Sequence, residues 1–239
     1  MAIAFDATAP LNHASPGPTT NTTSFNVISN TKGILLLACF VGANAMISAA
    51  TYAGFSLTPI DDKSHGVRVS LWQLLTPPTG ANNVVTTSNG GFNYDGGVAS
   101  YTGVDQSTPI DASTSDTTAV AGGGGDAPYT INPAITVNTN NAWLVMAVEG
   151  AAYGAAGDST VRVTSQGRLC DKGPVSTGSN TIGTTTNYSG GASMVSITVA
   201  LKPDGSSTLI KTINGLAKAS VKTRDGLAIA SMKTFNGLV

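Results

Sequence analysis

The sequence predicts an all-β protein: an antiparallel β-sandwich of the jelly-roll type with a short C-terminal β-repeat arm. Charged residues make up only 10% of the 239 residues, and Thr and Val are plentiful while the helix formers Glu, Lys and Gln are scarce. Short apolar runs follow one another along the chain, separated by Gly, Pro, Asn and Asp. No segment has a convincing helical period, so the runs indicate strands.

The strand candidates differ in how deeply they are expected to be buried. Gly33–Val41 is almost continuously apolar, which is typical of a central strand buried on both faces. Val67–Leu75 alternates apolar and polar residues, as a half-buried strand does. The other candidates are Ser24–Ser29, Ala45–Tyr52, Phe55–Pro59, Asn83–Thr87, Gly97–Gly103, Ile135–Val137, Ala142–Glu149, Val161–Ser165 and Met194–Leu201.

Three organisational units are expected: an N-terminal arm over 1–24, a β-sandwich domain over 25–203, and a linker with a repeat segment over 204–239. The arm begins with strand-like residues and continues with Pro, Gly, Asn and Thr. Within the domain, the polar stretch Asp61–Gly66 predicts a loop. Ser107–Asp126, which contains four consecutive glycines, predicts a mobile loop.

The C-terminal segment repeats an eleven-residue unit, IKTINGLAKAS, VKTRDGLAIAS and MKTFNGLV. A period of eleven would suit a right-handed helical coil, but a glycine in each unit costs about 1 kcal/mol in a helix. Asn-Gly and Asp-Gly are instead favoured in two-residue hairpin turns, so we predict a short β-meander. Such a ribbon is marginal alone and is expected to dock through its larger apolar residues: Ile210, Ile213, Leu216, Val221, Leu227, Ile229, Met232, Phe235 and Leu238.

The sign of the net charge changes at the start of the repeat segment. The repeat segment has five basic residues and one acidic residue, a net charge of +4, whereas the whole chain is −1, so the rest is −5. A basic appendage suits docking to an acidic surface. The alternative is that scattered lysines keep an edge ribbon soluble and prevent unwanted strand pairing.

Targeting and membrane signals are not evident. Residues 1–6 contain neither a basic region nor an apolar run of a secretory signal, and the apolar run Ile34–Val41 is too short to span a bilayer. The near-zero net charge gives no support to nucleic-acid binding. Two cysteines, Cys39 and Cys170, do not make a disulfide framework, and Cys39 is expected to be a small buried apolar residue.

No constellation of residues indicates catalysis, a cofactor or a metal. Asp61, Asp62 and His65 could supply metal ligands, but a solvated loop is the expected account, and His13 lies in another polar segment. Nucleophile-elbow, zinc-protease and Walker motifs are absent from the sequence. Glu149 is the sole glutamate, and no carboxylate pair is identifiable. We expect core positions for the aromatic residues Trp72, Tyr101 and Trp143.

Three stretches carry a family resemblance: LLLACFVG…ISAATYAGFSLTPI, VRVSLWQLLTPPTGANNVVTT and GGVASYTGVDQSTPIDA. Their order resembles a β-sandwich module of tailed-phage and prophage structural proteins, closely over Phe25 to Asp111 and loosely over Trp143 to Pro203. The tail resembles repeats near the C-termini of phage virion proteins. The chain departs from the pattern at Gly122–Gly125 and over Gln166–Tyr188. The resemblance implies a virion component, and its motifs are turn and packing signatures.

The expected function is therefore that of a non-enzymatic virion structural protein, made in a host cytoplasm. It would decorate or cement the capsid, or belong to the tail or fibre, and bind neighbouring virion subunits and itself through its arm and repeats. A trimer is the expected oligomer. The alternative is a carbohydrate-binding or host-adhesion module that uses Tyr94, Tyr129, Tyr153 or Tyr188. An enzyme acting on envelope polysaccharide is a third hypothesis.

Overall fold

A computed structural model describes most of the chain in front of the repeats. The described residues are 1–11, 20–42, 45–89, 94–119, 129–150, 157–165, 167–186 and 193–205, with four two-residue strands further on. They form strands and turns and no helix, and every strand pairing among them is antiparallel. The prediction of an all-β, antiparallel sandwich is confirmed.

The first half of the chain supplies two sheets, here called layers 1 and 2. Layer 1 is ordered β2-β8-β4-β5 and layer 2 is ordered β1-β9-β3-β7-β6. Their strands are β1 (Ala4–Pro10), β2 (Thr20–Val27), β3 (Ile34–Gly42), β4 (Ile47–Tyr52), β5 (Phe55–Ser56), β6 (Thr58–His65), β7 (Val67–Leu75), β8 (Gly80–Ser88) and β9 (Tyr94–Thr102).

The second half supplies layers 3 and 4. Layer 3 is one sheet ordered β10-β18-β13-β15-β14, and layer 4 consists of the two strand pairs β11-β17 and β12-β16. Their strands are β10 (Ile110–Ala119), β11 (Tyr129–Ile131), β12 (Ala134–Val137), β13 (Ala142–Glu149), β14 (Thr160–Thr164), β15 (Gly167–Val175), β16 (Gly178–Thr181), β17 (Thr184–Thr186) and β18 (Ser193–Leu201).

Three apolar cores hold the four layers together. One core lies between layers 1 and 2, a second between layers 2 and 3, and a third between layers 3 and 4. β3 contributes to the first two: Leu35 and Leu37 face layer 1, while Ile34 and Leu36 face layer 3. Because successive side chains of a strand point to opposite faces, this explains the continuous apolar run, and the prediction of a central strand buried on both sides is confirmed.

Two predicted loops are strands at sheet edges. Asp61–Gly66 was expected to be a loop, but its residues up to His65 belong to β6, where Asp62 accepts a 2.6 Å bond from Arg68 of the neighbouring strand. Ser107–Asp126 was expected to be a mobile loop, but Ile110–Ala119 pairs with β18 along its length. Their side chains remain exposed or half-exposed, and the pairing comes from the backbone of the one neighbouring strand, so these strands need few apolar residues.

The N-terminal region also differs from the expected arm. Residues 4–10 form β1, which pairs with β9 in layer 2, and β2 begins at Thr20 within layer 1. The segment 166–188, which departs from the resemblance, contributes β15 to β17. Gly122–Gly125 and His13 lie outside the described residues.

A tight turn joins β4 to β5, and the predicted core positions are confirmed. Ala53 and Gly54 have φ of 52° and 83° and connect Tyr52 to its paired residue Phe55, as a tight hairpin turn requires. Trp72 and Tyr101 are buried, and the half-buried Trp143 packs against the core beside the Tyr101 ring. Cys39 and Cys170 are buried free thiols.

Gly205–Val239 forms a separate compact unit from Met1–Asp204. Its described residues are two short hairpins: Thr212-Ile213 pairs with Leu216-Ala217, and Thr223-Arg224 pairs with Leu227-Ala228. In the sequence, the inner pair of each hairpin flanks Asn-Gly or Asp-Gly. Each described strand of these hairpins is two residues long.

Candidate interaction surface

The outer face of layer 1 is an exposed surface built from small uncharged residues. Along β8, Val84, Thr86 and Ser88 are buried beneath the sheet, and the residues between them point outward. The outward positions of β2, β8 and β4 form cross-strand rows. They are Thr20, Thr22, Ser24, Asn26, Ala49, Thr51, Ala81, Asn83, Val85 and Thr87. We call these ten residues the layer 1 face.

Charge is absent from the whole sheet and not only from its outer face. β2, β4, β5 and β8 contain no Asp, Glu, Lys or Arg. Ordinary globular domains have about 25% charged residues, and an exposed sheet normally carries some of them to remain soluble. Depletion of charge is the compositional mark of the central part of a protein–protein interface.

Exposed large apolar side chains gather around the same sheet. Ile28 directly follows β2, Met46 directly precedes β4, and Phe55 begins β5; they are 67%, 37% and 57% exposed. Met1 is the one other exposed large apolar side chain among the described residues. Apolar residues that gather around an uncharged surface indicate a site of association rather than scattered exposure.

Hydrogen bonds fix the sheet from below. The buried Tyr52 hydroxyl donates to the Gly80 carbonyl at 2.9 Å, joining β4 to the start of β8. The Asp6 carboxylate accepts bonds of 3.1 Å from the backbone N–H groups of Ile28 and Ser29. These contacts hold Ile28 and the end of β2 in place, so the surface is formed before any partner arrives.

No protein-family model, curated protein or solved structure matches the chain.

A buried ionic cluster lies between layers 2 and 3. Asp171 is fully buried and accepts a 2.7 Å bond from Arg162 Nε and a 3.0 Å bond from the Tyr101 hydroxyl. The Arg162 guanidinium stacks 3.8 Å from the centre of the Phe5 ring. Burial, and next the negative charge of Asp171, raise the pKa of Tyr101 well above its usual value. The Phe5 ring also packs edge-on against the Tyr101 ring, so these contacts connect β1, β9, β14 and β15.

Two further carboxyl groups face the same core at one end of the layers. Glu149 ends β13 and Asp95 lies near the start of β9, and both are 6% exposed. Burial first, and then the charge of Asp95, raise the pKa of Glu149 to about 8. The Oε2 atom of Glu149 has no hydrogen-bond partner among the described atoms. This pair, brought together from both halves of the chain, was not identified from the sequence.

The residues considered as metal ligands do not converge. In the described part of the chain no group of three or more His, Cys, Asp or Glu side chains could hold a metal ion. Asp61 instead pairs with Lys63 at 3.3 Å, and Asp62 pairs with Arg68. The same part of the chain has no helix long and apolar enough to cross a membrane.

The predicted docking residues of the tail are described only in part. Ile213, Leu216 and Leu227 lie in the short hairpin strands. The other six lie outside the described residues: Ile210, Val221, Ile229, Met232, Phe235 and Leu238. The layer 1 face was missed because its residues were read only as strands, although the lack of charge in 20–27, 47–52 and 80–88 is visible in the sequence.

Proposed function

We propose that the chain is a non-enzymatic structural protein of a phage virion, which binds neighbouring subunits as a decoration or cement protein of the capsid or as a tail or fibre component. The observation that carries the proposal is the layer 1 face, a preformed sheet surface without charge and with exposed apolar residues around it. Such a surface suits protein association. The family resemblance of the sequence supplies the virion context.

The repeat unit adds a second means of attachment. Its net charge of +4 is opposite to the −5 of the preceding residues, and its short hairpins have too few large side chains to be stable alone. In the proposal these hairpins bind a neighbouring subunit, where packing supplies the stability that the hairpins lack.

Copy number and position in purified particles test the virion role. Hundreds of copies over the shell would identify decoration, a few copies at a vertex or tail would identify a fibre or adaptor, and absence from particles would overturn the proposal. Deletion of Leu209–Val239 tests the tail. The shortened protein is expected to lose affinity for particles, and unchanged incorporation would refute a docking role of the repeats.

A second candidate function is carbohydrate binding, which one topological observation favours. Tyr94 and Tyr129 are the first residues of β9 and β11, and in the sequence Tyr153 and Tyr188 follow the last residues of β13 and β17. These four strand ends lie at the same end of the layers. In this candidate function, exposed tyrosine rings would be stacking platforms for sugars. A glycan array tests this, with loss of binding expected for Tyr94→Ala; an array without any binder would remove the candidate.

A further inference from the structure

The distribution of charge in the chain indicates which partner suits the layer 1 face. Residues 1–204 have a net charge of −5, so two copies of this unit repel each other in most orientations. Layer 1 is free of charged side chains. Two copies that meet through this face therefore place no like charges in direct opposition. A basic partner would instead be drawn to the acidic layers, and an acidic partner would gain nothing at this face.

We propose that the layer 1 face binds the layer 1 face of a second copy of this chain. This inference rests on the docking role proposed above. A contact that uses the same patch on both copies is isologous and gives a two-fold dimer, whereas a trimer was expected from the sequence.

The size of the face suits a weak contact. Its strands β2, β8, β4 and β5 contain 8, 9, 6 and 2 residues, and at about 3.3 Å per residue and about 4.8 Å between strands they present about 400 Å² per copy. Two copies would bury about 800 Å², which is less than the roughly 1,000 Å² of a stable specific interface and is the size of a transient one. The exposed side chain of Ile28, two residues after the outward Asn26, adds apolar area beyond the strands. We therefore expect a reversible dimer whose population depends on protein concentration.

Charge introduced on the face tests the pairing in the full-length protein. Asn83 and Ala49 are exposed and lie on the middle strands β8 and β4. The double variant Asn83→Glu/Ala49→Glu is expected to raise the dimer dissociation constant at least about tenfold in sedimentation equilibrium, because like charges would then oppose each other. Ser113→Glu/Ser115→Glu is the matched control, since these exposed residues lie on β10 in layer 3; it should leave the constant unchanged.

A charge-swap mixture makes the result specific to a second copy. The variant Asn83→Lys/Ala49→Lys should also fail to pair with itself, but an equimolar mixture with the Glu variant should associate again. Should the double substitutions prevent folding, the single variants Asn83→Glu and Asn83→Lys replace them. Each should weaken its own dimer and their mixture should associate again, whereas the single variant Ser113→Glu should have no effect.

The outcomes separate this inference from the virion role. A wild-type protein that stays monomeric at all concentrations, or a dimer that the Glu variant does not weaken, overturns the face-to-face pairing. Neither result alters the copy number in particles, by which the proposed function is judged. Absence from particles together with a Glu-sensitive dimer would overturn the virion role and leave the pairing intact.

Discussion

Replacing Glu149 by Gln should remove a large part of the pH dependence of stability. In the folded protein, burial first and the Asp95 charge second raise the pKa of Glu149 to about 8, whereas its ordinary value is 4.5. Between these values the folded state keeps a proton that the unfolded chain has released. A folded state that binds more protons loses stability as the pH rises. The wild type should therefore become less stable between pH 4.5 and 8.

The magnitude follows from the width of that window. Each pH unit inside it costs about 1.4 kcal/mol, so the whole window of 3.5 units costs about 5 kcal/mol. Glutamine has the same shape and no charge, so the free energy of unfolding of Glu149→Gln should not contain this slope. We expect the variant and the wild type to be similar near pH 5, and the variant to be several kcal/mol more stable at pH 8.

Urea unfolding at half-unit pH intervals from 5 to 9 measures the effect. Asp61→Asn is the control, because it removes one acidic residue at the half-exposed edge strand β6 and should keep the slope of the wild type. Parallel pH profiles for wild type and Glu149→Gln would refute the reasoning, since they would show that Glu149 has the same proton affinity in the folded and unfolded chain.

Three other substitutions should destabilise the protein by different amounts, measured by urea unfolding at pH 6. Asp171→Asn leaves the Arg162 guanidinium without its carboxylate and should cost about 3 kcal/mol, and a neutral result would show that the ion pair does not stabilise the fold. Tyr101→Phe removes one hydrogen bond to Asp171 and should cost about 1 to 2 kcal/mol; a cost equal to that of Asp171→Asn would contradict this ranking. Gly103→Ala combines a φ of 75° with a clash between the new Cβ and the Ala2 carbonyl oxygen, and should cost more than Gly178→Ala, where φ is 104° but nothing lies within 4 Å. Equal losses at the two glycines would show that the close approach does not matter.

The fold class could be predicted because burial leaves a direct trace in the sequence. β3 is apolar at every position since it is covered on both faces, and the Ala53-Gly54 turn needs residues that tolerate positive φ. β6 and β10 were missed for the opposite reason. They lie at sheet edges, where Asp, Ser and Thr side chains remain partly solvated and where pairing comes from the backbone of the neighbouring strand.

The candidate sites were harder to predict because they depend on distant parts of the chain. Asp95 and Glu149 are 54 residues apart in the numbering and meet only when layers 2 and 3 pack together. The residues of the layer 1 face are visibly uncharged in the sequence. They form one surface only when three separate strands lie side by side in the sheet. Neither site could be predicted because the sequence does not show the order in which the four layers stack.

The central position of layer 2 has a consequence for synthesis of the protein. β1 to β9 are complete when the ribosome reaches residue 102, yet the side of layer 2 that carries Ile34, Leu36 and Phe40 has no cover until layer 3 is made. At about 5 to 20 residues per second, the roughly one hundred residues that follow take about 5 to 20 seconds. During that interval the nascent chain exposes an apolar sheet face that can associate with other chains. The first half made as a separate fragment should therefore aggregate, although it contains both layers of a sandwich.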